Sequence, residues 1–162
     1  MDYVSKKMNV FIASSAELKP ERLELVDLLM DLNYEWVKRG VKFKPALWEY
    51  MDSSMQGGRK EDEYLAKLRT CEICIVMFWR TLGEYTVEEL DVAVAEMIAG
   101  RLPKKVYVLF KEPADEITLD LSEFKKTFAW KYSNIPSDIF ISNDELREKV
   151  TKLLTNKTLS PE

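Results

Sequence analysis

The chain has no histidine among its 162 residues. Its absence excludes Ser-His-Asp and Cys-His catalytic arrangements, together with the usual histidine-based zinc sites. Any acid–base chemistry must therefore use glutamate, aspartate, lysine, tyrosine or cysteine.

Cysteine is scarce, and its two residues form the single motif Cys71-Glu72-Ile73-Cys74. A redox motif of this spacing lies at the N-terminus of a helix, where the free backbone amides lower the pKa of the cysteine thiol. Here the motif leads into the apolar run 73–79, which places it at the entrance of a strand. With no second cysteine pair and no histidine, we expect no metal site. We predict two reduced, partly buried thiols.

Positive charge is also limited, because the 24 basic residues are outnumbered by 28 acidic residues, which gives a net charge of −4. No segment collects basic residues densely, which argues against nucleic acid as a direct partner, although a local basic pocket could hold one nucleotide. Neither GxGxxG nor a P-loop is present, so a conventional dinucleotide or ATPase site is not expected. No signal peptide, membrane span or lipidation motif appears, which predicts a cytoplasmic protein without membrane contact.

What the sequence does contain is a regular alternation of apolar strands and amphipathic helices. This alternation predicts right-handed βαβ units and a parallel sheet in one α/β domain over residues 1–155. Residues 156–162 are expected to be a frayed tail or the start of a linker to a missing domain. The predicted strands are Met8–Ser14, Val41–Trp48, Ile73–Trp79, Val106–Phe110 and Asp138–Ile141.

The predicted helices follow from helical spacing, caps and stop signals. The first begins near Pro20, buries Leu23, Val26, Met30, Tyr34 and Val37, and stops at Gly40. The next covers Arg59–Thr70, and a third covers Thr86–Ala99 with Val87, Leu90, Val94, Met97 and Ile98 in one stripe. A short helix is expected near Leu121–Lys126, and a capping box at Ser142 opens the last helix, to about Leu154.

In parallel sheets, ligands bind beyond the carboxyl ends of the strands. That rule brings together four segments: Ser14-Ser15, Trp48-Glu49, Trp79–Thr86 and Lys111-Glu112. The strand-end aromatic residues could stack on a planar base or simply cover the core. Arg59 opens a helix, where it could meet phosphates or lie in a solvated first turn.

Glu89 has two interpretations that the residues alone leave open. Thr86 and Glu89 have the spacing of a capping box, which would explain both of them as helix stabilisers. Alternatively, Glu89 faces the crevice in the first helical turn, where its carboxylate could stabilise positive charge on a bound sugar. Asp91 lies closest to the expected buried stripe and competes with Glu89 for that role.

Three segments resemble the TIR-like (Toll/interleukin-1 receptor) domains of bacteria: MNVFIASSAEL, ALWEY…GGRKEDEY and CEICIVMFWRTLGEYTVEELDVAVAEM. The most similar branch, of unknown function, is found at the amino end of larger bacterial defence and NTPase proteins. The resemblance implies a flavodoxin-like three-layer sandwich around a central parallel five-stranded sheet.

The resemblance also implies an activity. Many members cleave NAD between nicotinamide and ribose, using a glutamate early in the helix after the central strand. The run Glu89-Leu90-Asp91-Val92-Ala93 matches that pattern, which selects Glu89 over Glu88 and Asp91. The expected function is therefore an NAD+ glycohydrolase of bacterial antiphage or stress defence, with NAD as substrate rather than cofactor. Contacts to the nucleotide are expected from Ser14, Ser15, Trp48, Arg59, Trp79, Arg80, Tyr85 and Thr86.

Two other functions are compatible with the sequence. One is a non-catalytic TIR-like module that self-associates and transmits a signal. The other is a nucleoside 2-deoxyribosyltransferase-like enzyme, a class with a similar fold and a glutamate at a similar place. Self-association is also expected on activation of the first candidate, because TIR enzymes commonly need neighbouring copies to complete the site.

Overall fold

A computed structural model describes residues 6–50 and 60–155, apart from the side chains of residues 50 and 60. Its five strands are all parallel and lie in the order β2-β1-β3-β4-β5, the order of flavodoxin-like α/β proteins. The strands are β1 (Lys6–Ser14), β2 (Val41–Leu47), β3 (Ile73–Phe78), β4 (Lys105–Lys111) and β5 (Ser137–Phe140). The helices are α1 (Lys19–Trp36), α2 (Lys60–Leu68), α3 (Thr86–Ile98), α4 (Leu119–Lys131) and α5 (Asn143–Thr155). The predicted α/β class and five-stranded parallel sheet are confirmed.

Hydrophobicity along each strand fixes its place in the sheet. Every residue of β3 is buried, as expected for a central parallel strand covered on both faces. β2 carries Pro45, which has no amide hydrogen to donate to a neighbouring strand, and β2 lies at the edge as predicted.

The side chains of β1 alternate between two cores, which makes the molecule a three-layer sandwich. Met8, Val10 and Ile12 pack in the core shared with α1 and α5. Phe11 and Ala13 point to the opposite face, into the core shared with α2, α3 and α4. This alternation follows from the two-residue period of a strand.

The predicted apolar stripe of α1 is wrong in part: Val26 is buried, but three of its other members are not. Leu23, Met30 and Tyr34 are exposed, Tyr34 by 83%. The face toward the sheet instead carries Leu25, Val26, Leu28, Leu29 and Trp36, together with the charged pair Glu21 and Arg22. Gly40 ends this region with a φ of 80°, as its sequence position indicates.

The predicted face of α3 is wrong in part. Leu90 is fully buried, but Ile98 is 68% exposed, and the second buried apolar position is Ala93. Thr86 and Glu89 are buried on the same face. Asp91, expected closest to the buried stripe, is exposed and accepts a hydrogen bond from the Tyr132 hydroxyl at 2.6 Å.

The helix predicted near Leu121–Lys126 is more than twice as long, because α4 covers Leu119–Lys131. Phe124, Phe128 and Tyr132 recur at four-residue spacing and form one aromatic row. That row packs against Phe110 of β4, with the Phe110 and Phe128 ring centroids 5.4 Å apart. The additional residues of the helix place Phe128 in this buried row.

The structure also bears on the predictions for Ser142 and the two cysteines. Ser142 accepts a hydrogen bond from the Glu145 amide at 3.2 Å, which is one half of the predicted capping box. Cys71 and Cys74 are free thiols, and both are fully buried rather than partly buried as predicted. Burial raises the pKa of the Cys71 thiol to about 11. Within the described part of the chain, no helix is long and apolar enough to cross a membrane.

Candidate active site

A cavity of about 240 Å³ opens at the carboxyl edge of the sheet. It lies where the strand order reverses, between the ends of β1 and β3, which is the expected ligand position in an open α/β sheet. Its wall is formed by Ser14, Ser15, Ala16, Arg22, Trp48, Glu61, Tyr64, Gly83, Glu84, Tyr85, Thr86 and Glu89.

Two glutamates from different helices meet in this wall. Glu61 lies in the first turn of α2 and Glu89 in the first turn of α3, and each is 3% exposed. Glu61 is the acidic neighbour that acts most strongly on the Glu89 carboxyl, through its negative charge and through hydrogen bonding.

This environment changes the protonation of the pair. Burial, and then the negative charge and hydrogen bond of Glu61, raise the pKa of the Glu89 carboxyl to about 9. The proton belongs to the pair rather than to one residue, since the two groups titrate together. At neutral pH the pair therefore retains a proton. Such a pair can stabilise a cation and can also donate a proton.

The predicted capping box is not formed. Tyr85 is the N-cap of α3, and its side chain makes no capping hydrogen bond. Thr86 is the first helical residue, and the Glu89 amide donates to the Tyr85 carbonyl at 3.0 Å. The Glu89 carboxyl turns toward Glu61 rather than back to the start of its helix. Helix capping therefore does not account for Glu89.

Arg22 contributes a cation to the described part of the wall, and Glu49 holds it in place. Its guanidinium donates to the two Glu49 carboxylate oxygens at 3.0 and 2.5 Å, and to Ser14 Oγ and the Ser15 carbonyl at 2.5 and 2.9 Å. Burial alone would raise the pKa of Glu49, but the hydrogen bonds and charge of Arg22 outweigh it and lower that pKa. The ion pair joins α1 to the ends of β1 and β2.

Glu17 joins two loops of the site. Its Oε2 accepts hydrogen bonds from Ser15 Oγ at 2.9 Å and from the amides of Arg80 and Thr81 at 3.0 and 2.8 Å. These donors, with the Thr81 hydroxyl, lower the pKa of Glu17 although its burial would raise it. The loop after β3 is thereby fixed to the loop after β1.

Gly83 lets these loops approach closely. Its φ is +83°, a conformation that L side chains rarely adopt. A Cβ at this position would lie 2.4 Å from Thr86 Oγ1 and 3.3 Å from the Ser15 Cα. The glycine is thus required both by its backbone angle and by the space at the cavity wall.

Aromatic rings line the cavity mouth. Trp48 is 43% exposed and meets the buried Tyr64 ring edge-on, with centroids 5.5 Å apart. The Tyr64 hydroxyl lies 3.4 Å from the Ile12 carbonyl, to which it donates. Tyr85 is 37% exposed at the start of α3. A planar ring entering the cavity would meet aromatic surface here.

The structure brings most of the predicted site residues together. Cavity-lining positions are occupied by Ser14, Ser15, Trp48, Tyr85, Thr86 and Glu89. Trp79 and Arg80 do not line this cavity: the Trp79 ring lies between Arg80 and Lys111, with their cationic groups 3.9 and 4.0 Å from its centre. Arg59 lies outside the described residues.

Three central residues of the cavity were missed by the sequence analysis: Arg22, Glu61 and Tyr64. Glu61 and Tyr64 are three apart and share one face of α2, a signal that points both side chains the same way. Arg22 lies four residues after Leu18 and three before Leu25, so helical spacing places it on the same face as these buried apolar residues. Their spacing is the sequence signal that the position of Arg22 is buried. A charged residue is rarely buried without a partner, and the sequence alone gives no sign of Glu49 as that partner.

In the part of the chain that the structure describes, no cluster of acidic or thiol side chains is arranged to hold a metal ion. No protein-family model matches the chain, and no curated protein matches it.

Proposed function

We propose that this protein cleaves the N-glycosidic bond of NAD+, releasing nicotinamide, with Glu89 as the carboxylate that faces the ribose. The observation that carries the proposal is the buried Glu89 carboxyl in the wall of the cavity that opens where the strand order reverses, between β1 and β3. The similarity of the Glu89–Ala93 run to the TIR-like pattern supports the same assignment.

The chemistry suits a site without histidine. The nicotinamide ring of NAD+ is a cation and leaves as a neutral molecule, so its departure needs no proton. Positive charge moves to the ribose as the bond breaks, and a nearby carboxylate stabilises it. Water then adds to the sugar carbon, giving ADP-ribose, nicotinamide and one proton.

The charges of the wall indicate which end of NAD+ enters. Arg22 is neutralised by Glu49, whereas Glu61, Glu84 and Glu89 add acidic side chains to the described wall. An acidic wall favours the cationic nicotinamide ring and disfavours phosphates. The pyrophosphate would therefore remain outside the cavity, with the ring against Trp48 or Tyr85.

The test is NAD+ turnover by wild type and by Glu89→Gln, with nicotinamide measured by chromatography. We expect Glu89→Gln to lose about 10²-fold or more of the rate. Glu88→Gln is the matched control, since it removes the same charge from the adjacent position, outside the cavity wall, and should keep near-normal turnover. Absence of nicotinamide release by concentrated wild-type protein would reject the proposal.

One observation favours a second candidate, cleavage or transfer of neutral nucleosides. A neutral base leaves well only when it is protonated, and the pair holds a proton at neutral pH. Release of hypoxanthine from 2′-deoxyinosine, with no effect on NAD+, would favour a nucleoside 2-deoxyribosyltransferase-like enzyme. Concentration-dependent association by sedimentation, without turnover of either substrate, would instead indicate a self-associating TIR-like module.

A further inference from the structure

Arg80 is a cation at the carboxyl edge of the sheet that lies outside the cavity wall. It is the second residue after β3, it is exposed, and its guanidinium lies over the Trp79 ring, 3.9 Å from the ring centre. An acidic cavity leaves the pyrophosphate of a bound nucleotide outside, so the group that receives the phosphates must lie at the rim.

The other cations described at this edge face carboxylates. Three of them form ion pairs: Arg22 with Glu49, Lys111 with Glu21, and Lys125 with Glu112. The charge of Lys19 also acts on Glu49. Within residues 6–50 and 60–155, by contrast, the Arg80 guanidinium contacts an aromatic ring and no carboxylate. Such a contact leaves the guanidinium N–H groups able to donate to an oxyanion.

The surroundings of Arg80 hold its backbone and its stacking partner in place. The Arg80 amide donates to Glu17 Oε2 at 3.0 Å, and its carbonyl accepts from the Thr118 amide at 2.9 Å. The indole N–H of Trp79 donates to the Pro113 carbonyl, also at 2.9 Å. Because the platform beneath the guanidinium is already fixed, less freedom is lost when an anion binds to it.

The same contacts place Arg80 beside the cavity. The Glu17 oxygen that accepts from the Arg80 amide also accepts from Ser15 Oγ at 2.9 Å, and Ser15 is part of the cavity wall. Gly83, three residues after Arg80, lines the same wall. A nucleotide with one ring in the cavity would therefore carry its phosphates out past this loop.

We propose that the Arg80 guanidinium, supported by the Trp79 ring, binds the phosphates of a nucleotide whose nicotinamide end occupies the cavity. This inference rests on the proposed function and names its substrate class, which is phosphorylated pyridine nucleotides rather than free nucleosides. A guanidinium can donate two parallel N–H bonds to one phosphate, which combines charge with a fixed orientation. Arg80 thus determines specificity and takes no part in breaking the glycosidic bond.

The kinetic test compares NAD+ with nicotinamide riboside, which has the same nicotinamide–ribose bond and no phosphate. Arg80→Gln should raise KM for NAD+ about tenfold, the scale of a lost hydrogen bond to a charged group, with kcat close to that of wild type. The KM for nicotinamide riboside should stay the same. Arg80→Lys keeps the charge but loses the planar two-point donor, so its KM for NAD+ should be intermediate.

Arg39→Gln is the matched control. Arg39 is also exposed, and its guanidinium lies 4.9 Å from the centre of the Trp36 ring. It lies just before β2, at the amino end of the parallel sheet and so at the edge opposite the cavity. The substitution removes the same charge and the same kind of contact, and it should leave both KM values unchanged. Thermal unfolding of all variants should resemble that of wild type, because both arginines are exposed.

Binding of ADP-ribose tests the contact without turnover, because this molecule keeps both phosphates and lacks nicotinamide. By calorimetry, Arg80→Gln should bind ADP-ribose about tenfold more weakly than wild type does. Added salt should weaken binding by wild type more than binding by the variant, since salt screens an exposed charge.

A rise in KM confined to NAD+, with weaker binding of ADP-ribose, would support the inference. It would be overturned by KM values that change equally or not at all, or by ADP-ribose binding that is undetectable in wild type or unaffected in Arg80→Gln. NAD+ cleavage by wild type would stand in each of those cases. If wild type does not cleave nicotinamide riboside, the calorimetry decides. Wild-type protein that cleaves no NAD+ would reject the proposed function, and ADP-ribose binding would still decide whether Arg80 holds phosphates.

Discussion

A glutamate that is almost fully buried usually faces a cation, whereas Glu89 faces another glutamate. Each carboxyl lies in the first turn of a helix, where the free amides favour negative charge. Burial and the neighbouring acid instead favour the neutral, protonated form of the Glu89 carboxyl. The balance leaves a proton on the pair at neutral pH, and this proton makes the stability of the protein depend on pH.

The first prediction concerns that dependence. The folded protein holds the proton up to a pKa of about 9, whereas an unfolded glutamate releases it near 4.5. Between these values the folded state binds more protons, so the free energy of unfolding must fall as the pH rises. From pH 5 to pH 8.5 we expect a loss on the order of 4 kcal/mol, measured by urea unfolding.

Glu89→Gln keeps the shape of the protonated acid but cannot lose a proton. It should flatten the decline and be more stable than wild type at pH 8.5. Glu17 and Glu49 have lowered pKa values, so their contributions disappear at more acidic pH and do not interfere. Wild-type stability that is constant or rises from pH 5 to pH 8.5 would contradict a shared proton.

A second prediction at this scale compares two glycines with nearly the same backbone angle. Gly83 and Gly100 have φ values of +83° and +79°, but a Cβ would strike Thr86 and Ser15 at Gly83 and nothing within 4 Å at Gly100. Gly100→Ala should cost about 1 kcal/mol of unfolding free energy from backbone strain. Gly83→Ala should cost about 1–3 kcal/mol more, because the cavity wall must move.

Equal losses for the two variants would show that the contacts at Gly83 relax freely. The effect on the site can be followed separately by the rate of NAD+ cleavage. Gly100 lies at the end of α3, far in sequence from the cavity residues of its first turn, so Gly100→Ala should leave that rate unchanged.

At the scale of elements, α1 shows where sequence periodicity is ambiguous. The helix carries apolar residues around much of its circumference, and two faces fit helical spacing. The face chosen from the sequence, with Leu23, Met30 and Tyr34, is exposed. The buried face includes Arg22, whose burial depends on Glu49, a residue 27 positions away. Local spacing holds no information about such a distant partner.

The Arg22–Glu49 pair gives the third prediction. Arg22→Met should lower the unfolding free energy by about 2–4 kcal/mol, because it leaves Glu49 without its cation. The Glu49 side chain keeps 16% exposure, which limits the loss. Adding Glu49→Gln to Arg22→Met should recover about half or more of it, since the uncompensated charge is then removed.

A double variant no more stable than Arg22→Met would contradict this explanation. It would assign the loss to the bonds from Arg22 to Ser14 and Ser15 instead. Urea unfolding of the two single variants and the double variant gives the coupling energy directly.

At the scale of the whole molecule, the sheet was predictable and the cavity only in part. Alternation of strands and helices, with one continuously apolar strand, is enough to predict a parallel sheet with β3 at its centre. The rule for parallel sheets then places Ser14, Trp48 and Tyr85 at one edge. The contact between Glu61 and Glu89 depends on the relative placement of α2 and α3, which no local pattern encodes.

The last prediction uses the charge of the cavity as a whole. NAD+ and NADH have the same phosphates and nearly the same shape, but the nicotinamide ring is cationic only in NAD+. If the ring enters the cavity, the acidic wall should favour NAD+. Calorimetry with Glu89→Gln, which retains the Glu61 carboxyl and should turn over slowly, is expected to give at least about tenfold tighter binding of NAD+, or roughly 1.4 kcal/mol.

The double variant Glu61→Gln/Glu89→Gln is the matched control, because it removes both carboxyls and leaves the aromatic mouth intact. Its preference for NAD+ should shrink toward equality. ADP-ribose, which lacks the ring, should bind both variants with similar affinity. Equal binding of NAD+ and NADH by Glu89→Gln would place the nicotinamide outside the cavity and remove the electrostatic basis for Glu89 as the residue that stabilises the ribosyl cation.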